Sequence, residues 1–280
     1  MVAYTRYLRF GLSTLLGLGR RGFFIPYRHA ASVAAAPRPT YGAIEGVFRD
    51  RAAAFRETLA LIEAQGAGLR AIDDSARAPA PRWDQDWFPR LDVAVAYAVA
   101  RARAPRRIVE VGAGHSTRFL ARAVADGGLA TRITVIDPAP RAALVGLDVD
   151  WRGETVQRAG AAVFAALAPG DILFVDSSHV LMPGSDVDHL INRVLPALPA
   201  GVLIHFHDIF LPDDYPAAWT RRGYNEQLAI APLLASGALK PLFASHFVAT
   251  RLGDALAKGV IAALPLSAGA VESSLWVEKR

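Results

Sequence analysis

Two short runs of the sequence carry the side chains best suited to acid–base chemistry. They are Asp176-Ser-Ser-His179 and His205-Phe-His207-Asp208. A histidine whose pKa lies near neutrality can take a proton from a substrate. A divalent cation held by such side chains can instead stabilise negative charge. Each run follows an apolar stretch typical of a buried strand, so we expect both runs to lie at the same edge of a sheet.

A glycine turn forms the second group of candidate residues. Glu110 lies in the β-branched run 108–111, Gly112 and Gly114 follow it, and Ser116 opens a helical pattern. A strand, a glycine turn and a helix N-terminus together let the backbone approach a ligand. The dinucleotide-binding pattern would require a third glycine at position 117, where threonine stands. An acid ending the next strand, Asp137, can accept both hydroxyl groups of a ribose.

Alternating strands and helices must position these groups. The apolar runs predict strands at 107–111, 132–136, 155–158, 171–175, 201–206, 239–250 and 274–279. Helices are predicted near 116–125, 141–145, 161–167, 185–195 and 224–234. This alternation favours an α/β fold with a mostly parallel sheet covered by helices on both faces.

The residues before the first strand are predicted to form an N-terminal extension and helical cap, 1–104, ahead of a core domain, 105–280. Helical spacing of apolar residues predicts one long helix over 43–72, either continuous or broken once, and another over 91–103. Trp83 and Trp87 lie in the proline-rich loop between them. Their rings can either seat the cap on the core or wall a substrate pocket. Tyr224, after the fifth strand, can either contact the acceptor or simply begin the next helix.

Composition restricts the class of protein. Hydrophobic residues make up 52% of the chain and charged residues 20%, which is typical of an ordered globular protein. The absence of cysteine excludes disulfides, thiolate metal sites and cysteine nucleophiles. The net charge of +5 comes mostly from arginines scattered among alanines, as in GC-rich bacterial genomes, so nucleic acid is not the expected partner. Without a convincing export signal, a cytoplasmic location is expected.

The N-terminus has a charge pattern of its own. Residues 1–44 contain six arginines and no acid. The segment is either a helix that packs on the domain or a basic amphipathic surface. Such a surface, in residues 1–30, would touch an anionic membrane or a second subunit of a homo-oligomer.

Three strand ends resemble those of the class I S-adenosylmethionine-dependent methyltransferases. The resemblance rests on Val109-Glu-Val-Gly-Ala-Gly114, Val135-Ile-Asp137 and Gly170-Asp-Ile-Leu-Phe-Val-Asp176, and it covers residues 105–280. It implies a Rossmann-like sheet of seven strands, mostly parallel, with an antiparallel last strand. It also implies S-adenosylmethionine as cofactor.

The resemblance assigns roles to individual residues. The implied cofactor contacts are Glu110, Gly112, Gly114, Ser116, Asp137 and Asp176. Asp176 and Asp208 match metal ligands of the small-molecule O-methyltransferases that use magnesium, whereas His207 stands where an acid is expected. A bound metal would then be held by Asp176, His207 and Asp208, and the histidine admits a softer ion than magnesium. Without a metal, His179 or His207 would be the general base, next to Asp176.

The sequence thus predicts an enzyme that methylates a hydroxyl or amine of a small molecule. Trp83, Trp87 and Tyr224 are the candidate substrate contacts. An RNA methyltransferase and a non-catalytic S-adenosylmethionine-binding scaffold are the alternatives.

Overall fold

A computed structural model of the chain describes residues 2–23, 25–34 and 36–280, with residues 2–4 described by their backbone alone. The chain forms two compact units, Met1–Arg38 and Pro39–Arg280. In the first unit, helix α1 spans Val2–Leu15 and a 3-10 turn spans Ala30–Ser32. Met1 and Phe24, which belong to the predicted membrane-contacting segment 1–30, lie outside the described residues.

The second unit is built around one sheet of seven strands. The strands are β1 Arg107–Val111, β2 Arg132–Ile136, β3 Asp150–Arg152, β4 Ile172–Val175, β5 Leu203–Phe206, β6 Leu239–Ala244 and β7 Leu275–Lys279. Their order across the sheet is β3-β2-β1-β4-β5-β7-β6. Strands β1 to β5 are parallel, and β7 runs antiparallel between β5 and β6. The predicted mostly parallel sheet with an antiparallel last strand is confirmed.

Helices cover this sheet because its central strands are apolar at almost every position. All four residues of β4 and of β5 are buried, as a strand covered on both faces requires. The helices of the unit are α2 Gly42–Asp50, α3 Ala52–Ala64, α4 Gly66–Arg70, α5 Arg90–Arg103, α6 His115–Gly127, α7 Ala161–Ala165, α8 Asp186–His189, α9 Leu195–Ala197, α10 Glu226–Ala235, α11 Ser245–Arg251 and α12 Gly259–Ala263. A π-helical turn spans Leu190–Val194, and 3-10 turns span Ala217–Arg222 and Gly253–Ala255. In the described part of the chain, no helix has the length and apolar character needed to cross a membrane.

Two predicted elements around the third strand were wrong. The strand expected at 155–158 is a turn in which the N–H of Arg158 donates to the carbonyl of Thr155, and β3 lies earlier, where Asp150–Arg152 pairs with β2. The helix expected at 141–145 is absent from these described residues. The N–H of Arg141 donates instead to the carbonyl of Ala113, which ties this segment to the glycine turn.

Two longer predictions were right in part. The strand expected at 239–250 ends at Ala244 and continues as helix α11, whose Phe247 packs edge-on against Phe48 and Phe55. An apolar run alone does not separate a strand from a buried helix, which explains the error. The helix expected over 43–72 is divided into α2, α3 and α4 at Arg51 and Gln65. These helices belong to the same compact unit as the sheet, and the division at residue 104 stays a domain hypothesis.

Candidate active site

The glycine turn after β1 joins three strand ends. Gly112 has a φ of +87°, and a Cβ at this position would overlap the carbonyl oxygen of Asp176, so only glycine fits. Its N–H donates to the carbonyl of Ile136 at the end of β2. A Cβ on Gly114, in contrast, would meet no protein atom within 4 Å. The turn is therefore packed tightly on one side and open on the other, beside the N-terminus of α6.

Two carboxylates hold this turn from either side. Asp137 accepts the N–H of Ala113 at 2.7 Å through one oxygen and the N–H of Ala139 at 2.6 Å through the other. Glu110 is completely buried, and its Oε1 accepts the hydroxyl of Ser116 at 2.6 Å. Among the described residues, Glu110 Oε2 has no hydrogen-bond partner. Burial raises the pKa of Glu110 to about 8, because a charged carboxylate is disfavoured in this solvent-excluded position.

His179 lies at the centre of a first group of acids. Its Nδ1 is 2.9 Å from Glu226 Oε2, and its Nε2 is 3.3 Å from Asp176 and 3.4 Å from Asp208. Glu226 is completely buried at the start of α10 and also accepts the hydroxyl of Ser177. The N–H groups of residues 225 and 226 donate to the carbonyl of His179, so α10 is fixed to the end of β4.

His207 lies at the centre of a second group that shares two of these acids. Its Nε2 is 3.4 Å from Asp92, and its Nδ1 is 3.6 Å from Asp176 and 3.7 Å from Asp208. Asp92 is completely buried in the first turn of α5 and accepts the N–H groups of Ser273 and Ser274. The sequence did not lead us to Asp92. The available signal was a single acid inside the otherwise apolar run 91–100.

Backbone conformation contributes to this arrangement. His179 and Asp208 have φ values of +60° and +55°, a left-handed conformation that non-glycine residues rarely adopt. The N–H groups of Asp176 and His207 donate to the carbonyls of Val111 and Val175, which continues the sheet pairing one residue past the strands. The carboxyl ends of β4 and β5 therefore place Asp176, His179, His207 and Asp208 at one edge of the sheet.

The electrostatics of the two histidines favour the charged imidazolium. Burial acts against it, but the charge of Asp208 and contacts with Asp176 and Asp92 raise the pKa of His207 well above its usual value. Burial likewise opposes the charge of His179, whose pKa Asp176 and Glu226 raise well above the usual value. Burial alone would raise the pKa of Asp176, yet the two imidazoles hold it well below its ordinary range. The two imidazoles and the carboxyl group of Asp176 therefore favour one another's charged forms.

His205 has a different environment from its neighbour. Its ring stacks on Phe174 at 3.7 Å, and its Nε2 is 2.8 Å from the hydroxyl of Ser274. Burial lowers the pKa of His205 well below the usual value, which keeps this imidazole neutral. These contacts give His205 a packing role beneath the cluster.

A cavity of about 180 Å³ opens onto the acid–imidazole cluster. Its floor includes Asp176, His207 and Asp208. The remaining lining residues are Asp86, Trp87, Arg141, Trp219, Arg222, Tyr224, Gly269, Ala270 and Val271. The guanidinium of Arg141 lies over the ring of Trp87 at 4.6 Å, and that of Arg222 lies over Trp219 at 3.7 Å. The cavity is therefore lined by two aromatic rings, each with a guanidinium group over it, and by the charged side chains of the cluster.

The predicted substrate contacts separate into two groups. Trp87 is 56% exposed and lines the cavity, as does Tyr224, whose ring is 4.7 Å from that of His179. Trp83 is buried against Phe119 at 5.6 Å and does not line this cavity. Of the predicted catalytic residues, Asp176 and His207 line the cavity. His179 contacts Asp176 and Asp208 but does not itself line the cavity.

A divalent ion needs several donor atoms that point at one shared position. Asp176, His207 and Asp208 do lie together, but their donor atoms contact one another as ion pairs. Within residues 2–23, 25–34 and 36–280, no group of three or more histidine and acid side chains is arranged to hold a metal ion. These side chains, in the arrangement described, do not fit a metal site.

The fold and the site together define a class of protein. The sheet order β3-β2-β1-β4-β5-β7-β6, with β7 antiparallel, is that of the class I methyltransferases. Acids lie in or directly after β1, β2 and β4, and they surround the glycine turn at the carboxyl edge, where open α/β sheets bind their ligands.

Comparison with known proteins agrees with this class. Residues 109–209 match the model of a family described as a methyltransferase domain. Within this fold, residues 109–209 therefore resemble a methyltransferase domain. No curated protein sequence matches it.

Several solved structures are similar to the chain at low sequence identity. A methyltransferase of Podospora anserina with S-adenosylhomocysteine bound aligns over 92% of this chain and 99% of its own, at 15% identity and a TM-score of 0.43. An O-methyltransferase of Bacillus cereus, also with S-adenosylhomocysteine, aligns over 90% and 96%, at 12% identity and a TM-score of 0.38. The O-methyltransferase TomG of Streptomyces achromogenes aligns over 65% and 77%, at 20% identity and a TM-score of 0.34.

Proposed function

We propose that the protein transfers a methyl group from S-adenosylmethionine to a hydroxyl group of a small molecule, with His207 as general base. One observation carries this proposal: a histidine held between Asp92 and the pair Asp176 and Asp208 borders a small cavity at the carboxyl edge of the sheet. An amine is the alternative acceptor group.

The residues around the glycine turn fit the cofactor. Glu110 Oε2, buried and without a partner among the described residues, suits the ammonium group of its methionine part. The open side of Gly114 leaves room for a ligand next to the backbone, and the N-terminus of α6 suits a carboxylate. We assign ribose binding to Asp137 and support of Glu110 to Ser116, while Gly112 and Asp176 border the methyl-donating end. When bound, S-adenosylmethionine supplies an electrophilic methyl group on a sulfonium.

His207 would remove the acceptor's proton. In its neutral form with the proton on Nε2, which is 3.4 Å from Asp92, the Nδ1 lone pair lies on the side of Asp176 and Asp208, two residues that line the cavity. A hydroxyl group entering the cavity would give its proton to Nδ1, which would make its oxygen nucleophilic towards the methyl group that the cofactor supplies. The resulting imidazolium is stabilised by three carboxylates, which makes His207 a stronger base than a free imidazole. The same carboxylates keep much of it protonated at neutral pH.

The other members of the cluster would hold this geometry. His179, between Glu226 and the pair Asp176 and Asp208, balances the charge of the two acids and keeps their oxygens in place. We assign acceptor contact to Trp87 and Tyr224. Trp83, packed on Phe119, would support the loop that carries Trp87.

The cofactor part of the proposal is tested by binding. Asp137→Ala should weaken S-adenosylhomocysteine binding in calorimetry by about tenfold or more, because it removes both the ribose acceptor and the two backbone hydrogen bonds that hold the turn. Asp150→Ala, which removes an exposed acid on the neighbouring strand β3, is the matched control and should bind as the wild type does. Failure of the wild-type protein to bind S-adenosylmethionine and S-adenosylhomocysteine would contradict the proposal.

Removal of metal ions by a chelator distinguishes the proposed mechanism from one that uses a metal. Because the cluster is arranged as ion pairs, we expect methyl transfer to continue at an unchanged rate after dialysis against EDTA. Loss of activity that is restored by magnesium, manganese or zinc would favour a metal held by Asp176, His207 and Asp208 instead.

The two remaining alternatives are separated by the fate of a labelled methyl group. Transfer from labelled S-adenosylmethionine to hydroxylated small molecules supports the proposal. Transfer to RNA alone would favour an RNA methyltransferase, and tight cofactor binding without transfer to any acceptor would favour a scaffold. The acid–imidazole cluster next to the cavity favours an enzyme. Burying ionisable groups costs desolvation free energy, and a scaffold that only binds the cofactor does not need such a cluster.

A further inference from the structure

Helix α1 has one apolar face. At 100° per residue, the side chains of Tyr7, Leu8, Leu12 and Leu15 lie within one half of the helix surface. All four are exposed, Leu12 to 56% of its surface. In the residues that follow, Leu16 and Leu18 are 67% and 79% exposed. Ten of the sixteen large hydrophobic side chains that the structure exposes belong to residues 7–33, which makes this the most concentrated exposed apolar region of the described chain.

Positive charge is concentrated in the same unit. The guanidinium groups of Arg6, Arg9 and Arg21 lie 5.3, 5.6 and 5.9 Å from the centre of the Phe10 ring. Arg21 is held there because its N–H donates to the hydroxyl of Thr14, so the chain after α1 folds back along the helix. The sequence supplies no acid before Glu45 to balance these charges. The three cations repel one another, and an anionic partner would relieve that repulsion.

We propose that the first unit lies on the surface of an anionic lipid bilayer, with the apolar face of α1 in the interfacial region and the arginines next to lipid phosphates. A helix of this kind, about 21 Å long, has room to lie in the plane of the headgroups. Both features are needed for this choice of partner. RNA would pair with the arginines but leave the leucines exposed, and a second copy of the chain would bring a like-charged unit against this one. This proposal is independent of the methyltransferase reaction.

The test is co-sedimentation of the full chain with lipid vesicles. We expect the protein to sediment with vesicles of phosphatidylcholine containing 30 mol% phosphatidylglycerol, and at least tenfold more weakly with pure phosphatidylcholine. Raising the salt concentration to 0.5 M should release most of it. The variant Arg6→Gln, Arg9→Gln, Arg21→Gln should lose about tenfold or more in partition coefficient. The variant Leu8→Ser, Leu12→Ser, Leu15→Ser should lose binding at equal net charge.

A matched control separates this surface from overall charge. Arg56, Arg106 and Arg132 are exposed arginines of the second unit, so the corresponding triple glutamine variant has the same net charge as the first triple variant. We expect it to bind vesicles as the wild type does. Equal loss in both arginine variants, equal binding to neutral and anionic vesicles, or binding to an RNA oligonucleotide without binding to vesicles would each overturn the proposal. So would concentration-dependent dimerisation that the leucine variant abolishes in the absence of lipid binding. A far-UV circular dichroism spectrum and a Tm equal to those of the wild type show that each variant is folded.

Discussion

Replacing His207 by glutamine should lower kcat for methyl transfer by about two to four orders of magnitude, the usual contribution of a general base. Glutamine keeps a polar side chain of similar length but has no basic nitrogen, so it cannot accept the proton of the acceptor hydroxyl. Affinity for S-adenosylhomocysteine should change little, because the groups assigned to the cofactor are Glu110 and Asp137. The measurement is the steady-state rate of methyl transfer to an acceptor that the wild-type protein methylates, together with calorimetry of cofactor binding.

His246→Gln is the control for this result. His246 also pairs with an acid, at 2.9 Å from Asp213, but it lies outside the cavity that His207 borders. Its substitution should leave kcat near the wild-type value. If His207→Gln retained wild-type kcat, the base would have to be sought elsewhere in the cluster.

The pH dependence gives a second readout of His207. Only the neutral imidazole accepts a proton, and carboxylates raise its pKa above the usual value, so kcat/KM should increase with pH through a pKa above about 6.5. Asp92→Asn removes one negative charge and should therefore move this ascending limb to lower pH. An unmoved limb in Asp92→Asn would mean that Asp92 serves the fold through Ser273 and Ser274 and not the base.

Replacing Glu110 by glutamine should weaken S-adenosylhomocysteine binding by about 10- to 100-fold, because a hydrogen bond to a charged group contributes about 1.5–3 kcal/mol. The pKa of about 8 adds a more specific expectation. At pH 7 the carboxyl is mostly protonated, and an ammonium group next to it favours the ionised form. Binding should therefore release close to one proton. Calorimetry in buffers of different ionisation enthalpy measures this release, which Glu110→Gln should abolish.

The same substitution should change the stability of the free protein. A pKa raised from 4.5 to about 8 means that the folded state favours neutral Glu110. This contribution to stability is complete below pH 4.5 and is lost as the pH rises towards 8, at about 1.4 kcal/mol per unit. Glu110→Gln should flatten this part of the pH dependence of Tm. Ser116→Ala, which removes only the hydrogen bond to Oε1, should keep the proton release; its loss there would show that Glu110 is not the group that titrates.

The sequence was informative where function depends on strand ends. Parallel strands are short apolar runs, and Glu110, Asp137 and Asp176 stand in or directly after such runs, so their convergence followed from the alternation of elements. Asp92 and Glu226 were harder to predict because they reach the cluster from helices α5 and α10. Packing of distant elements decides such contacts, and no local pattern records it.

The two tryptophans of the 79–89 loop illustrate the same limit. Trp83 and Trp87 lie four residues apart in a loop with a similar composition around both, yet one is buried on Phe119 and the other borders the cavity. An irregular loop has no period from which the direction of a side chain follows. The third strand was misplaced for a related reason: Trp151 and its neighbours at the sheet edge are not the apolar run expected of a central strand.

The close approach of Gly112 to the carbonyl of Asp176 limits which parts of this protein can change in sequence. Since only glycine fits there, the glycine turn and the backbone of Asp176 are packed against each other, and a substitution at Gly112 would displace both. Trp87, Trp219 and Arg222, in contrast, are carried by loops and short turns above the acid–imidazole cluster. New acceptor preferences should thus arise from changes in these walls alone, and a library randomised at the three positions would sample substrates while preserving the chemistry.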